Sequence, residues 1–155
     1  MRTRGFTMIE LMVTLSILAI LLSIAVPSFS SFTASQRLRA ASTDLRTDLM
    51  LARSEALKRN QNVTIRRREA AGWQTGWVVV VEGSGQELRS RNGLGTSLEV
   101  TTIVGAITFN GNGRVASPAG TVRIALTASA GSMNAERCLV LDPSGMPRAY
   151  AETCS

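Results

Sequence analysis

The sequence predicts an α+β fold: a long N-terminal helix, membrane-spanning in its first half, packed on an antiparallel β-sheet domain. Three observations carry that expectation. No residue from Leu11 to Gln36 is charged. Beyond that run, Leu38, Ala41, Leu45, Leu49, Ala52 and Ala56 recur at spacings of three or four. After Asn60 the chain turns to short β-prone runs divided by glycine. A chain of 155 residues has room for one ordinary domain plus one extra element. Its composition, 45% hydrophobic and 18% charged, suits a globular domain with a membrane segment and not a disordered chain.

The uncharged run has the core LMVTLSILAILLSIAV, with Phe29 and Phe32 beyond it. About 20 helical residues cross a bilayer core, so the run is long enough. Arg2 and Arg4 before it favour a cytoplasmic N-terminus; Arg37 and Arg39 on the far side oppose that slightly. No glycine stands between Gly5 and Gly72, and Pro27 is the only proline in that span. One long helix with a kink at Pro27 follows. The Leu38–Ala56 spacing places one apolar stripe on this helix, a core face. Arg46, Arg53 and Arg59 lie largely off it, and Glu55 to Arg59 is a favourable i,i+4 pair. The helix is expected to end near Asn60.

The β-prone runs are Val63–Arg68, Trp77–Val81, Leu98–Val104, Ile107–Asn110, Val122–Thr127 and Cys138–Leu141, with a weaker one at Arg148–Ala151. Turn signals at Gly83, Gly85, Asn92-Gly93, Asn110-Gly111, Gly113, Gly120, Gly131 and Ser144-Gly145 separate them, the pattern of an antiparallel region. One face of the resulting sheet should pack on the helix stripe.

Charge and composition exclude most chemistries. The formal charge of +6 is local: residues 37–68 carry nine basic side chains against Asp44, Asp48 and Glu55. Such a stripe attracts nucleic acid, anionic lipid or an acidic partner, or is a solvated edge that blocks strand pairing. There is no histidine, hence neither the commonest general base nor the commonest metal ligand. No phosphate-binding loop, zinc-protease helix, CxxC pair or G-x-S-x-G elbow occurs, and Gly111-Asn112-Gly113-Arg114 reads as a hairpin turn. An enzyme is not expected, nor a cofactor or a metal site. Cys138 and Cys154 are too few for a metal site. In an exported domain they are expected to form a disulfide, closing a loop worth roughly 3 kcal/mol; the alternative is two free thiols.

A basic start and an apolar run also describe a secretory signal peptide or a plain anchor. Glu10 counts against both, because a carboxylate at the edge of a membrane segment is costly and marks function by default. The segment Arg4-Gly5-Phe6-Thr7-Met8-Ile9-Glu10-Leu11 closely resembles the leader and N-methylation site of type IV pilins and type II secretion pseudopilins. The resemblance implies cleavage by a prepilin peptidase after Gly5 and N-methylation of the new N-terminus, Phe6. It also implies pairing of Glu10 with the N-terminal amine of a neighbouring subunit. A buried carboxylate needs such a partner, so the pairing checks register during assembly. Cleavage would lower the formal charge from +6 to +4. Pilins that resemble this chain carry a proline near Pro27. The stretch Leu51-Ala52-Arg53-Ser54-Glu55-Ala56-Leu57-Lys58-Arg59-Asn60 is similar to the helix end of the GspH/FimT group of minor pilins and minor pseudopilins.

The expected organisation is a leader at 1–5, a membrane-spanning assembly helix at 6–32 and an exported pilin domain at 33–155, helical to 60 and β-rich from 61. The group implies a structural minor pilin of a type IV pilus that primes or joins assembly, near the tip, or the equivalent minor pseudopilin of a type II secretion system. Partners would be other pilin or pseudopilin subunits, prepilin peptidase and the inner membrane, crossed once with the C-terminal domain in the periplasm. Some FimT-like proteins bind DNA through a tail motif, a glycine followed by two arginines. Here Gly145 and Arg148 match it, and Met146 stands where the first arginine would be, which removes one phosphate contact. A second candidate DNA surface comprises Lys58, Arg59, Arg66 and Arg68, with Arg67 on the opposite face of its strand.

Overall fold

The computed structural model describes residues 6–95, 97–130 and 133–154. One helix, α1 (Met8–Arg59), runs unbroken through position 27. Its first half stands free of the domain: Met8, Ile9, Ile24 and Phe29 are all more than 60% exposed. The hydroxyls along it bond to carbonyls one turn back, Thr14 to Leu11, Ser16 to Met12 and Ser23 to Ile20. That leaves those polar atoms satisfied inside the helix, as a lipid environment requires.

From Ala34 onward the same helix becomes a core element. Leu38, Ala41, Leu45, Leu49, Ala52 and Ala56 are all buried, so the stripe spaced by three and four is the packed face. Asn60 ends the helix in the left-handed region (φ 51°, ψ 40°). Its N–H bonds back to Ala56 and Leu57, and the Gln61 N–H reaches the Ala56 carbonyl. Asparagine tolerates this conformation better than most residues, which is why the chain turns where it does.

Among the described residues nine strands follow: β1 (Val63–Glu69), β2 (Gly72–Val81), β3 (Glu87–Asn92), β4 (Leu98–Thr101), β5 (Ala106–Phe109), β6 (Val115–Ser117), β7 (Val122–Ala130), β8 (Met133–Leu141) and β9 (Pro147–Tyr150). The expected single sheet is two: a five-stranded sheet ordered β3-β2-β1-β5-β6 and a four-stranded sheet ordered β4-β7-β8-β9. All the pairings are antiparallel. The helix packs against both, and one core joins Leu45 and Leu49 to Ile65, Trp77, Ile107, Ile124 and Leu139. Two strands, β3 and β6, have no counterpart among the expected runs. The sequence of β3, Glu-Leu-Arg-Ser-Arg-Asn, reads as polar loop, and its pairing with β2 makes it a strand.

Alternation along each strand sorts the side chains. In β1, Val63 and Ile65 face the core, while Thr64 pairs with Thr108 on the outer face through a 2.7 Å hydroxyl contact. Val79 and Trp77 lie inward beside Arg89 and Arg91 of β3. Those two arginines point at the helix.

Candidate functional site

The N-terminal segment begins in the described residues at Phe6; Arg2, Arg4 and Gly5 lie outside them. Thr7 is the helix N-cap, extended at φ −85° and ψ 150°, and its hydroxyl accepts from the Glu10 N–H at 3.3 Å. Threonine followed three residues later by glutamate is a helix-start pattern, so the spacing that places Glu10 also starts the helix. Glu10 is exposed in the first turn and has no ion pair among the described residues. The helix behind it is long and apolar enough to cross a membrane, with a mean hydropathy of 2.5 and no part of that window buried against the domain. Most of the exposed large hydrophobic side chains among the described residues lie on this stretch, and an apolar surface on that scale marks contact with lipid or protein.

The basic residues divide into separate groups. Lys58 and Arg59 flank Glu55 at 3.7 and 2.7 Å, and Arg59 also donates to Gln86 at 2.8 Å. The Arg59 hydrogen bond holds the Glu55 carboxyl below its usual range. Arg66 and Arg68 lie on the outer face of the five-stranded sheet, across from the face the helix covers. Arg68 reaches Ser90 and Asn92 at 3.3 and 3.4 Å, and Arg66 lines a shallow recess beside Gly83 and Gly85. These four cations are thus spread over the helix end and the far side of the sheet.

The tail is more concentrated. Gly145 has φ 80°, and a Cβ there would stand 2.2 Å from the Gly113 carbonyl oxygen, so glycine lets two turns meet. Arg53 clamps the same junction, donating to the Gly113 carbonyl at 2.9 Å and reaching the Met146 sulfur at 3.1 Å. Arg46 donates to the Pro147 carbonyl at 3.5 Å. Arg148 is 65% exposed and 3.8 Å from Asp142. The register Arg123–Val140–Arg148 sets Arg123 on the same outward face two strands away. The helix thus brings two arginines to β9, a grouping the strand-based reading of the sequence missed.

Cys138 and Cys154 are joined by a disulfide, with Cα atoms 5.1 Å apart. The Cys154 N–H donates to Glu136 at 3.1 Å, so the tail lies back over the outer face of the four-stranded sheet. The described residues contain no group of three metal-ligating side chains.

A further polar group is internal. Asp48 is fully buried, and one of its oxygens accepts from Trp77 Nε1 and Arg91 Nε, both at 2.9 Å. Arg91 also reaches Asp44 at 3.2 Å, and Arg89 stands 3.8 Å from the other Asp48 oxygen. The hydrogen bond to Asp48 raises the pKa of Arg91 above its ordinary value. This cluster staples α1 to β2 and β3. Asp48 lies on the apolar stripe, seven residues after Ala41 and four before Ala52, and that position was its signal in the sequence.

The family described as type II transport protein GspH matches residues 41–145, from the buried half of α1 to the Gly145 turn. The chain belongs to the GspH family. The prokaryotic N-terminal methylation motif matches residues 1–26. Among solved structures, the type IV minor pilin FimU of Pseudomonas aeruginosa is similar in two crystal forms. The first has a TM-score of 0.60 at 25% identity, covering 79% of this chain and 92% of that one. The second has a TM-score of 0.58 at 23% identity, covering 72% and 91%, and speaks for the fold alone. No curated protein sequence matches the chain. A GspH-family chain with this motif and this fold is a pilin-like subunit of the GspH/FimT type, a minor pilin or pseudopilin of a type IV pilus-like system. Its family and structural neighbours are structural pilins and not enzymes.

Proposed function

We propose that this GspH-family subunit is a minor pilin of a type IV pilus that primes or joins filament assembly, at or near the tip. The observation that supports it most is the division of one continuous helix. Between Met8 and Phe32 the described side chains are mostly apolar and largely uncovered, with Glu10 the one charge, while the stripe from Ala34 on forms part of the core of a folded domain. In this reading prepilin peptidase cuts after Gly5 and Phe6 becomes the methylated N-terminus. The helix holds the subunit in the inner membrane with its domain in the periplasm, and Glu10 meets the amine of a neighbour. Pro27 lets the helix bend between its two halves, since a proline removes one backbone hydrogen bond. The test is leader processing and incorporation. Gly5→Arg should leave a precursor heavier by the leader, held in the membrane. A Gly5→Arg chain of normal mature mass would sink the peptidase assignment.

The family's description favours a second reading, the minor pseudopilin of a type II secretion system. Deleting the gene separates the two. Loss of surface pili with secretion intact supports the pilus, and the reverse supports the pseudopilus. A DNA-binding role can coexist with either. What supports it is the exposed Arg148 just after the Gly145 turn, with Arg123 on the same outward face two strands away. Converging cations are what phosphate binding needs. The full chain in neutral detergent, titrated with duplex DNA across salt, tests it. Binding that weakens steeply with salt and falls in Arg148→Gln supports the role, and no binding at low salt removes it.

A further inference from the structure

Just beyond the apolar run lies a feature to which the proposed function assigns no role. Arg37 and Arg39 follow the apolar run directly, on the side where basic residues are disfavoured. Both are exposed, and neither has an ion pair or hydrogen bond among the described residues. Arg37 lines a groove of about 350 Å³ between the helix and the membrane-facing edge of the four-stranded sheet. Phe29 and Ala34 supply its apolar wall, and Ser30, Thr33, Ser97 and Ser129 its polar one.

The groove lies at a definite height. About 20 helical residues counted from Leu11 end near position 31, so Phe29 sits in the hydrocarbon and Thr33 at its boundary. At 1.5 Å per residue, Arg37 stands about 6 Å above Thr33, within the headgroup layer. With the Phe29 ring at its lower end, hydroxyls along its middle and a cation above, the groove matches the glycerol and phosphate region of a single phospholipid.

We propose that this groove holds the head of one anionic phospholipid, its phosphate on Arg37 and the start of an acyl chain along Phe29. The lipid occupies the gap beneath the domain and fixes how the β-sheets sit on the bilayer before assembly. A favourable contact also offsets the cost of carrying an arginine across the membrane. Arg39, two residues on and therefore on another side of the helix, lies outside the groove and serves as the control.

The proposal rests on the membrane-anchored reading, and one experiment separates the two. The full chain is reconstituted in vesicles of phosphatidylcholine alone or of equal phosphatidylglycerol and phosphatidylcholine. It is tested for co-flotation and then released for native mass spectrometry to identify retained lipid. Flotation with both vesicles is the outcome the anchor requires, and a chain that floats with neither overturns anchor and groove together. With the anchor intact, wild type and Arg39→Gln should retain one phosphatidylglycerol in roughly fivefold preference over phosphatidylcholine. Arg37→Gln should bring that preference to near parity while still floating. An equal preference in Arg37→Gln and wild type overturns the lipid site and leaves Arg37 to a contact with a neighbouring subunit. Displacement of the lipid by inorganic phosphate, with phosphate retained instead, overturns it in favour of a free-anion site.

Discussion

Asp48 shows how much one side chain can decide in a domain of this size. Its carboxylate holds Trp77 and Arg91 from two different strands while sitting fully buried on the helix. Arg91 is 30% exposed and keeps Asp44, so removing Asp48 strands mainly the buried Trp77 N–H, at a cost of about 1–3 kcal/mol. Asp48→Ala should therefore lower the urea midpoint sharply, followed by tryptophan fluorescence because Trp77 loses its partner. A loss under about 1 kcal/mol would show that water reaches the cluster and relieves it. Gly145 makes a second residue-scale test. With φ at 80° and the Gly113 oxygen in the way, Gly145→Ala should cost about 1–3 kcal/mol by the same assay. An unchanged midpoint would mean that the two turns part freely. Asp48 was legible as a charge on an apolar stripe, and Gly145 as a turn glycine. Neither partner was legible, because Arg91 lies in a run that reads as loop and Gly113 is brought to Gly145 only by the fold.

Elements were readable where their signal is local. The helix end at Asn60, the apolar stripe and most of the strands follow from spacing, β-branched runs and turn residues within a few positions. The division into two sheets does not, because it depends on β4 pairing with β7 across more than twenty residues. The strand β3 escapes for a related reason: its arginines are neutralised by a helix forty residues away, so its polar sequence hides a paired strand. The disulfide acts at this scale too. It ties the tail after β9 to the middle of β8 across a separation of 16 residues. Cys154→Ser, or reduction of the wild type, should cost roughly 3 kcal/mol. Protease should then trim the C-terminus first, because the Glu136 bond alone would hold it. Equal stability of the reduced and oxidised forms would show that sheet packing alone holds the tail.

At the scale of the molecule, one half of α1 packs into the domain and the other is uncovered and mostly apolar, and Glu10 is the one charge between Met8 and Phe32 in that uncovered half. A charged carboxylate deep in a bilayer costs about 2.5–3.5 kcal/mol on insertion scales, less near the boundary where Glu10 lies. In a single subunit that cost stands uncompensated beyond the helix N-terminus, whose free N–H groups favour a nearby negative charge. In the proposed assembly a neighbour's N-terminal amine would cancel it only when the two helices are in register. Glu10→Val removes both the cost and the attraction. The variant should insert and be processed like wild type, since the peptidase site at Gly5 and Phe6 is intact and the helix is more apolar. It should enter filaments at about a tenth of the wild-type level or less, the loss that corresponds to about 1.4 kcal/mol of pairing. The readout is the ratio of subunit in sheared filaments to subunit in the membrane, with Gly5→Arg as the unprocessed reference. Glu10→Asp, which keeps the charge on a shorter arm, should fall between wild type and valine. Equal incorporation of Glu10→Val and wild type would remove the pairing role and leave helix packing alone to place the subunit.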